Sequence, residues 1–206
     1  MGRKIIVIGA GIIGASIAYH LSREEAEVTV IEKAHPASGA TSKSFAWINS
    51  STAETHDYYR LRAAGIAAYH TLEEELGDED FTVRWSGSLE WSLGKDTLPP
   101  QIDELREYGC DIQLLDRAEF ETLESHVNPT GTRYIHAREE GAIDAVSATH
   151  ALLRAAAARR ATLLYGCEVE DFILTGTGVS GITTTLESIW RMILWSPPVN
   201  GHKDCW

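Results

Sequence analysis

Between Lys4 and Lys33 an apolar run, a glycine cluster, a helical stretch and a second apolar run follow one another directly. Ile5 to Ile8 is an unbroken β-branched run, the composition of a parallel strand buried on both faces. Gly9-Ala10-Gly11-Ile12-Ile13-Gly14 comes next. Gly9 permits the tight turn out of the strand, Gly11 offers a backbone without a Cβ to an approaching pyrophosphate, and Gly14 lets the following helix lie close to the strand. A helix starting at Ile12 aims its N-terminal N–H groups and positive dipole end at that phosphate. Val28 to Ile31 is a second buried run, and Glu32 ends it. A carboxylate there can accept hydrogen bonds from both hydroxyls of a ribose. Glycine clusters also occur in plain turns. This one has a strand before it, a helix after it and an acid closing the next strand, and so reads as a dinucleotide-binding βαβ unit. Glu32 disfavours a 2′-phosphate, since two negative charges would meet, which leaves FAD or NAD.

The 206 residues suffice for one large domain or one and a half small ones. A formal net charge of −12 without a basic patch argues against a nucleic-acid partner. No apolar run is long enough to span a bilayer. The first strand begins at Lys4 and leaves no room for a secretory leader, so the expected location is cytoplasmic. Cys110, Cys167 and Cys205 lack CxxC spacing, and no histidine cluster accompanies them. Reduced thiols and no metal site are expected.

Residues 34–44 are small and polar, with Ser38-Gly39-Ala40-Thr41-Ser42 at the centre. Backbone N–H groups in such a run can converge on an anion, and the hydroxyls of Ser38, Thr41 and Ser42 add donors. A plain surface loop has the same composition. Thr55 to Leu76 has helical spacing, with Tyr59, Leu61, Ala64, Ala68, Leu72 and Leu76 as the apolar face and Gly77 as the stop. Phe81 to Leu93 reads as strand–turn–strand about Ser86-Gly87. Pro99-Pro100 opens a helix over Gln101–Tyr108, stopped by Gly109. Ile112–Leu115 is a short strand, Arg117–Glu124 a short acidic helix, and Tyr134–Asp144 irregular or extended. Val146–Arg160 is an alanine-rich helix with a core face at Ala148, Ala151, Leu152, Ala155 and Ala156. Thr162–Tyr165 is a strand. Glu168–Leu174 and Val179–Thr185 form a hairpin about Gly176-Thr177-Gly178.

GAGIIG with Glu32, then SGATS, then GAIDAVSATHALLRAAAARRATLLYGCEVEDF with its late Gly166-x-x-Val169, resembles the D-amino acid oxidase-like flavoenzymes. That group includes glycine and sarcosine oxidases and D-amino acid dehydrogenases, and the resemblance covers roughly Lys4 to Thr185. It implies an α/β fold: a Rossmann-like FAD-binding βαβ domain with part of an α+β substrate domain, the C-terminal part missing. The implied division is 1–78 with 141–185 for FAD and 79–140 for a partial substrate domain. Gly9, Gly11 and Gly14 would hold the FAD pyrophosphate and Glu32 the adenosine ribose, with Ala10, Ile12, Ile13 and Lys33 also in the cofactor-binding set. Ser38, Gly39, Ala40, Thr41 and Ser42 would follow the pyrophosphate and ribityl chain, and Lys43–Trp47 would pass near the flavin ring. Val169 would meet the adenine through its main chain. The implied reaction takes a hydride from the Cα–H of a small-molecule amino acid or amine, and water hydrolyses the resulting imine. Catalytic residues are not assignable. An Arg from the later half usually clamps the substrate carboxylate in this group; Arg84, Arg133 and Arg138 read instead as surface ion pairs. The rival readings are an NAD-dependent dehydrogenase and a non-catalytic remnant.

Residues 186–206 depart from the family pattern, which continues with a buried strand ending Ala-Ala-Gly and then Trp-Thr or Trp-Ser. Trp190, Trp195 and the pair Pro197-Pro198 make a poor buried strand. Reading each codon's third base with the first two of the next permits Ile-Asp-Leu-Ala-Asp-Asp-Ile-Val-Val-Ala-Ala-Gly-Lys-Trp-Thr-Gln from Glu187 onward. The expectation is a frame shift between about Thr183 and Ser188 and an out-of-frame tail, leaving a truncated flavoenzyme with weak or absent activity.

Overall fold

The computed structural model describes residues 3–24, 26–77, 80–91, 102–176 and 178–190. Strand β1 (Arg3–Ile8) turns through Gly9 into α1 (Ile12–Leu21), and β2 (Ala26–Glu32) follows. A 3-10 turn over Ala40–Lys43 precedes β3 (Trp47–Ile48). Helix α2 (His56–Leu76) starts at Thr55, whose side chain accepts from the Tyr58 N–H, and stops where Gly77 takes a left-handed φ of 52°. Next come β4 (Ser88–Glu90), α3 (Ile102–Glu107), β5 (Ile112–Leu115) and α4 (Arg117–Leu123), the last opened by a capping box between Asp116 and Glu119. The order ends with β6 (Tyr134–Ala137), β7 (Gly141–Ala142), α5 (Ala145–Ala158), β8 (Thr162–Tyr165), β9 (Val169–Thr175), β10 (Gly178–Thr184) and β11 (Ser188–Trp190).

The chain divides into two compact units: Met1–Ser44 with Asp78–Phe81 and Asp144–Trp206, and Phe45–Gly77 with Thr82–Ile143. In the first, β1, β2 and β8 form a parallel sheet in that order, with Ile6 opposite Thr29 and Val30 opposite Leu163. Val28 to Ile31 are buried without interruption, as a strand covered on both faces requires. Helix α1 packs on α5. Gly14, Ala15 and Ala18 face inward from one, and Ala148, Ala151 and Ala156 from the other. Small side chains shorten the distance between helix axes. An antiparallel sheet in the order β11-β10-β9 adds a second layer of apolar contacts. Ile6, Ile31, Cys167 and Ile182 are buried together there, with Val169 and Ile189 packed against them.

In the second unit, β4, β6 and β5 form an antiparallel sheet and β3 pairs with β7. Helix α2 belongs here by its contacts. Tyr59 is buried with Ile102, Leu105, Ile112 and Ile135, and the Glu73 carboxylate accepts from the Val83 N–H and the Trp85 Nε1–H, both at 2.7 Å. Residues 45–77, assigned by sequence to the nucleotide domain, therefore group with Thr82–Ile143.

Four local expectations change. Tyr59 and Leu72 are buried on α2 as expected, but Leu61, Ala64 and Ala68 are exposed; Ile66 is buried in their place, with the polar-tipped Glu73 on the inward side. An apolar count passes over that residue. Within residues 81–91 the strand expected to pair with its neighbour pairs elsewhere: β4 pairs with β6, Leu89 opposite His136, while Arg84 bridges to Ala142, and residues 92 and 93 lie outside the described residues. Of three arginines expected in ion pairs, Arg138 meets Asp111 through two bonds of 2.9 and 2.8 Å, whereas Arg84 and Arg133 are exposed without a side-chain partner among the described residues. Ser188–Trp190, expected to be unfit for a strand, forms β11 with Ile189 opposite Ile182. The Thr184 hydroxyl sets the turn before it, donating to the Glu187 carbonyl at 2.8 Å and accepting from its N–H at 3.1 Å. Pro99, Pro100, Gln101, Thr177 and the stretch 191–206 with Cys205 lie outside the described residues.

Candidate functional site

The site is built where β1, β2 and α1 meet in the first unit. Gly9 adopts φ 99°, a conformation strained for any other residue, and its N–H donates to the Ile31 carbonyl at 2.7 Å. A Cβ on Gly14 would lie 2.0 Å from the Gly9 carbonyl oxygen. Helix and strand therefore approach as closely as backbone permits. Gly11 is the N-cap of α1 and offers no side-chain acceptor. A Cβ there would meet Thr41 Oγ1 at 3.0 Å.

Glu32 is half-buried at the end of β2. Its Oε2 accepts from the Ala10 N–H at 2.9 Å and its Oε1 from the Ala34 N–H at 3.0 Å. A carboxylate has about four acceptor positions, so two backbone bonds fix its orientation and leave lone pairs for two hydroxyls.

The 34–44 run is a tied turn. Ala37, at φ 59° and buried, donates its N–H to the Ala10 carbonyl at 3.0 Å. Thr41 is buried, and its Oγ1 accepts from the Ile12 N–H at 3.1 Å. It supplies the cap that Gly11 lacks, with its own O–H left to donate. The Ser42 hydroxyl points back into the turn, donating to the Gly39 carbonyl at 3.0 Å. Gly39, Ala40 and Lys33 are exposed, and Ser38 is half-buried. Ala10 is buried and Ile13 exposed. Val169 opens β9 opposite Thr184 and packs its side chain into the Ile6–Ile31 cluster. The structure thus gathers Gly9 to Gly14, Glu32 and Thr41. The arrangement fits an adenosine diphosphate: two missing Cβ atoms clear the backbone, the positive end of the α1 dipole would face phosphates there, and the oriented Glu32 carboxylate has acceptor positions for ribose hydroxyls.

A family model described as FAD dependent oxidoreductase matches residues 4–194. The chain belongs to that family. Its cofactor is therefore FAD, and the NAD alternative falls away. Among curated proteins the chain is 28% identical over 181 residues to the uncharacterized oxidoreductase YurR of Bacillus subtilis, covering 80% of this chain and 46% of that protein. It is 25% identical over 180 residues to a glycerol 3-phosphate oxidase of Mycoplasma pneumoniae, covering 82% and 46%. Among solved structures, glycine oxidase from Bacillus cereus superposes with a TM-score of 0.84 at 20% identity, covering 94% of this chain and 54% of that one. L-proline dehydrogenase from P. horikoshii gives 0.80 at 23%, covering 93% and 52%. At these identities the superpositions establish the fold. The chain spans about half the length of the curated relatives it matches. Among the described residues no helix is long and apolar enough to cross a membrane.

One residue of consequence went unread in the sequence. Glu140 is fully buried in the second unit. Its Oε1 accepts from the N–H groups of Ser50 and Ser51, both at 2.7 Å, and its Oε2 from Trp47 Nε1–H at 2.9 Å and the Ser88 hydroxyl at 2.6 Å. This carboxylate holds the 47–51 segment. Its partners are 52 to 93 residues away, and no local spacing announces them. Cys110 is also buried, and burial pushes its thiol above the ordinary value, away from nucleophilic duty.

Proposed function

We propose that the protein oxidises the C–N bond of a small-molecule amino acid or secondary amine using FAD, and that the 206-residue chain alone binds FAD weakly and turns over little or no substrate. The observation that carries the flavin reading is Glu32, oriented by the Ala10 and Ala34 N–H groups beside the open end of α1. Glu32 would accept from the adenosine ribose hydroxyls, the Gly11 and Ile12 backbone would face the pyrophosphate, and Thr41 would hold the helix end in place. A bound flavin would supply the hydride acceptor for the carbon bearing nitrogen, leaving an imine for water to hydrolyse. The C–N choice is supported by the names of the solved neighbours, glycine oxidase and L-proline dehydrogenase. The M. pneumoniae relative favours a second reading, oxidation of a C–O bond in a polyol phosphate.

Titration of the purified chain with FAD, followed by flavin fluorescence, tests the first part. Saturable binding that NAD does not displace is expected, and Glu32→Ala should weaken it at least tenfold. A chain that is folded by circular dichroism yet binds no FAD overturns the site. Glycine, sarcosine and L-proline against glycerol 3-phosphate, read as bleaching of the flavin absorbance in a protein of the relatives' full length, then decide between C–N and C–O oxidation.

A further inference from the structure

The second unit contains a cavity of about 250 Å³ lined by Ser51, Ala53, Glu90, Ile102, Leu105 and Ile135, among others. Strand pairing explains its walls. Glu90 lies opposite Ile135, and Ile135 opposite Leu114. Directly opposed residues share a sheet face, as do residues two apart on a strand. Glu90, Ile135, Leu114 and Ile112 therefore project from the same side. Ile102 and Leu105, three apart on α3, form the facing apolar wall. Ser51 and Ala53 close one end from the segment before α2.

Among the described residues this lining is apolar or weakly polar except for two carboxylates, Glu54 at the exposed rim and the half-buried Glu90. Among the described residues Glu90 has no hydrogen-bond or ion-pair partner. Glu140, the next carboxylate inward, already holds four donors and only adds negative charge. Burial takes part of its hydration without returning a hydrogen bond from any described residue; accordingly burial first, and the Glu140 charge second, raise its pKa.

We propose that this cavity is a binding site for a small primary alkylammonium ion, its branched alkyl body against Ile102, Leu105, Ile112 and Ile135 and its ammonium group on Glu90. The volume lies below the roughly 300–1,000 Å³ common for drug-sized ligands, which limits the body to a few carbons. Charge and shape act together: an alkane lacks the cation, and a polyamine or guanidinium lacks the apolar body. The site consists of second-unit residues alone, so it stands or falls independently of the flavin reading.

The test uses the 206-residue chain without flavin. 3-Methylbutylamine and its neutral isostere 3-methylbutanol are titrated in parallel, with ¹H–¹⁵N chemical shifts as the readout. Saturable amine binding that moves Ile102, Ile112 and Ile135, with the alcohol at least fivefold weaker, is expected. Glu90→Gln should bring the amine down to the level of the alcohol, and Glu54→Gln should change it less than twofold. Glu90→Gln removes a charge that no described residue pairs and keeps the side chain's size, so the fold is expected to stay intact, which the same spectra verify. Equal affinity for amine and alcohol, no binding of either, or an unaltered amine affinity in Glu90→Gln would overturn the proposal.

Discussion

Removing the Glu140 carboxylate strands four donors at once, three of them on the 47–51 segment. Each unsatisfied buried donor costs about 1–3 kcal/mol. Glu140→Ala should therefore destabilise the second unit by at least about 3 kcal/mol, measured by urea unfolding followed through tryptophan fluorescence. Glu90 predicts the opposite sign. Its folded-state pKa lies above the ordinary 4.5, so the unfolded chain ionises more readily and stability falls as pH rises through that interval. Glu90→Gln should be the more stable protein at neutral pH, by less than about 1 kcal/mol because water screens a half-exposed group. The advantage should vanish below the ordinary carboxylate value, where both forms are uncharged. These two glutamates also mark what a sequence reveals. Glu32 was legible because its partners, Ala10 and Ala34, sit inside one short motif. Glu140 and Glu90 were not, because strand pairing alone gives each its surroundings.

At the scale of elements, α1 and α5 carry the first unit. Gly14→Ala would drive a methyl group to 2.0 Å from the Gly9 carbonyl and push α1 off β1, a loss of about 3 kcal/mol or more. Gly11→Ala meets only a hydroxyl at 3.0 Å. That variant should fold with a small loss in thermal midpoint while losing FAD, which separates a packing glycine from a ligand-facing one. Helix α5 begins at Asp144, whose carboxylate accepts from the Ser147 N–H at 2.7 Å. This bond holds its pKa below the ordinary value. Asp144→Ala should cost about 1 kcal/mol at neutral pH, and the difference should fade as pH drops through the lowered pKa and the parent loses its own cap. Period and caps made the helices and the strands Ile112–Leu115 and Thr162–Tyr165 readable. Partner choice was not readable: alternation in 81–93 suits a strand equally well whether it pairs with its neighbour or, as β4 does, with β6.

For the whole molecule, the out-of-frame origin of residues 186–206 stays a proposal that the gene decides: codons forbidding the shifted readout from Glu187 would end it. The division into two units was partly hidden because α2 follows the nucleotide motif in sequence but shares its buried face with Thr82–Ile143. The first unit is thereby interrupted, and β2 and its neighbour β8 are separated by the residues between Glu32 and Thr162. On a ribosome adding about 5–20 residues per second, β1 and β2 emerge on the order of ten seconds before β8 exists. The second unit is complete by Ile143 and has its partners within itself. The nascent chain can therefore complete its second unit, which ends at Ile143, before Thr162–Tyr165 emerges to close the parallel sheet of the first.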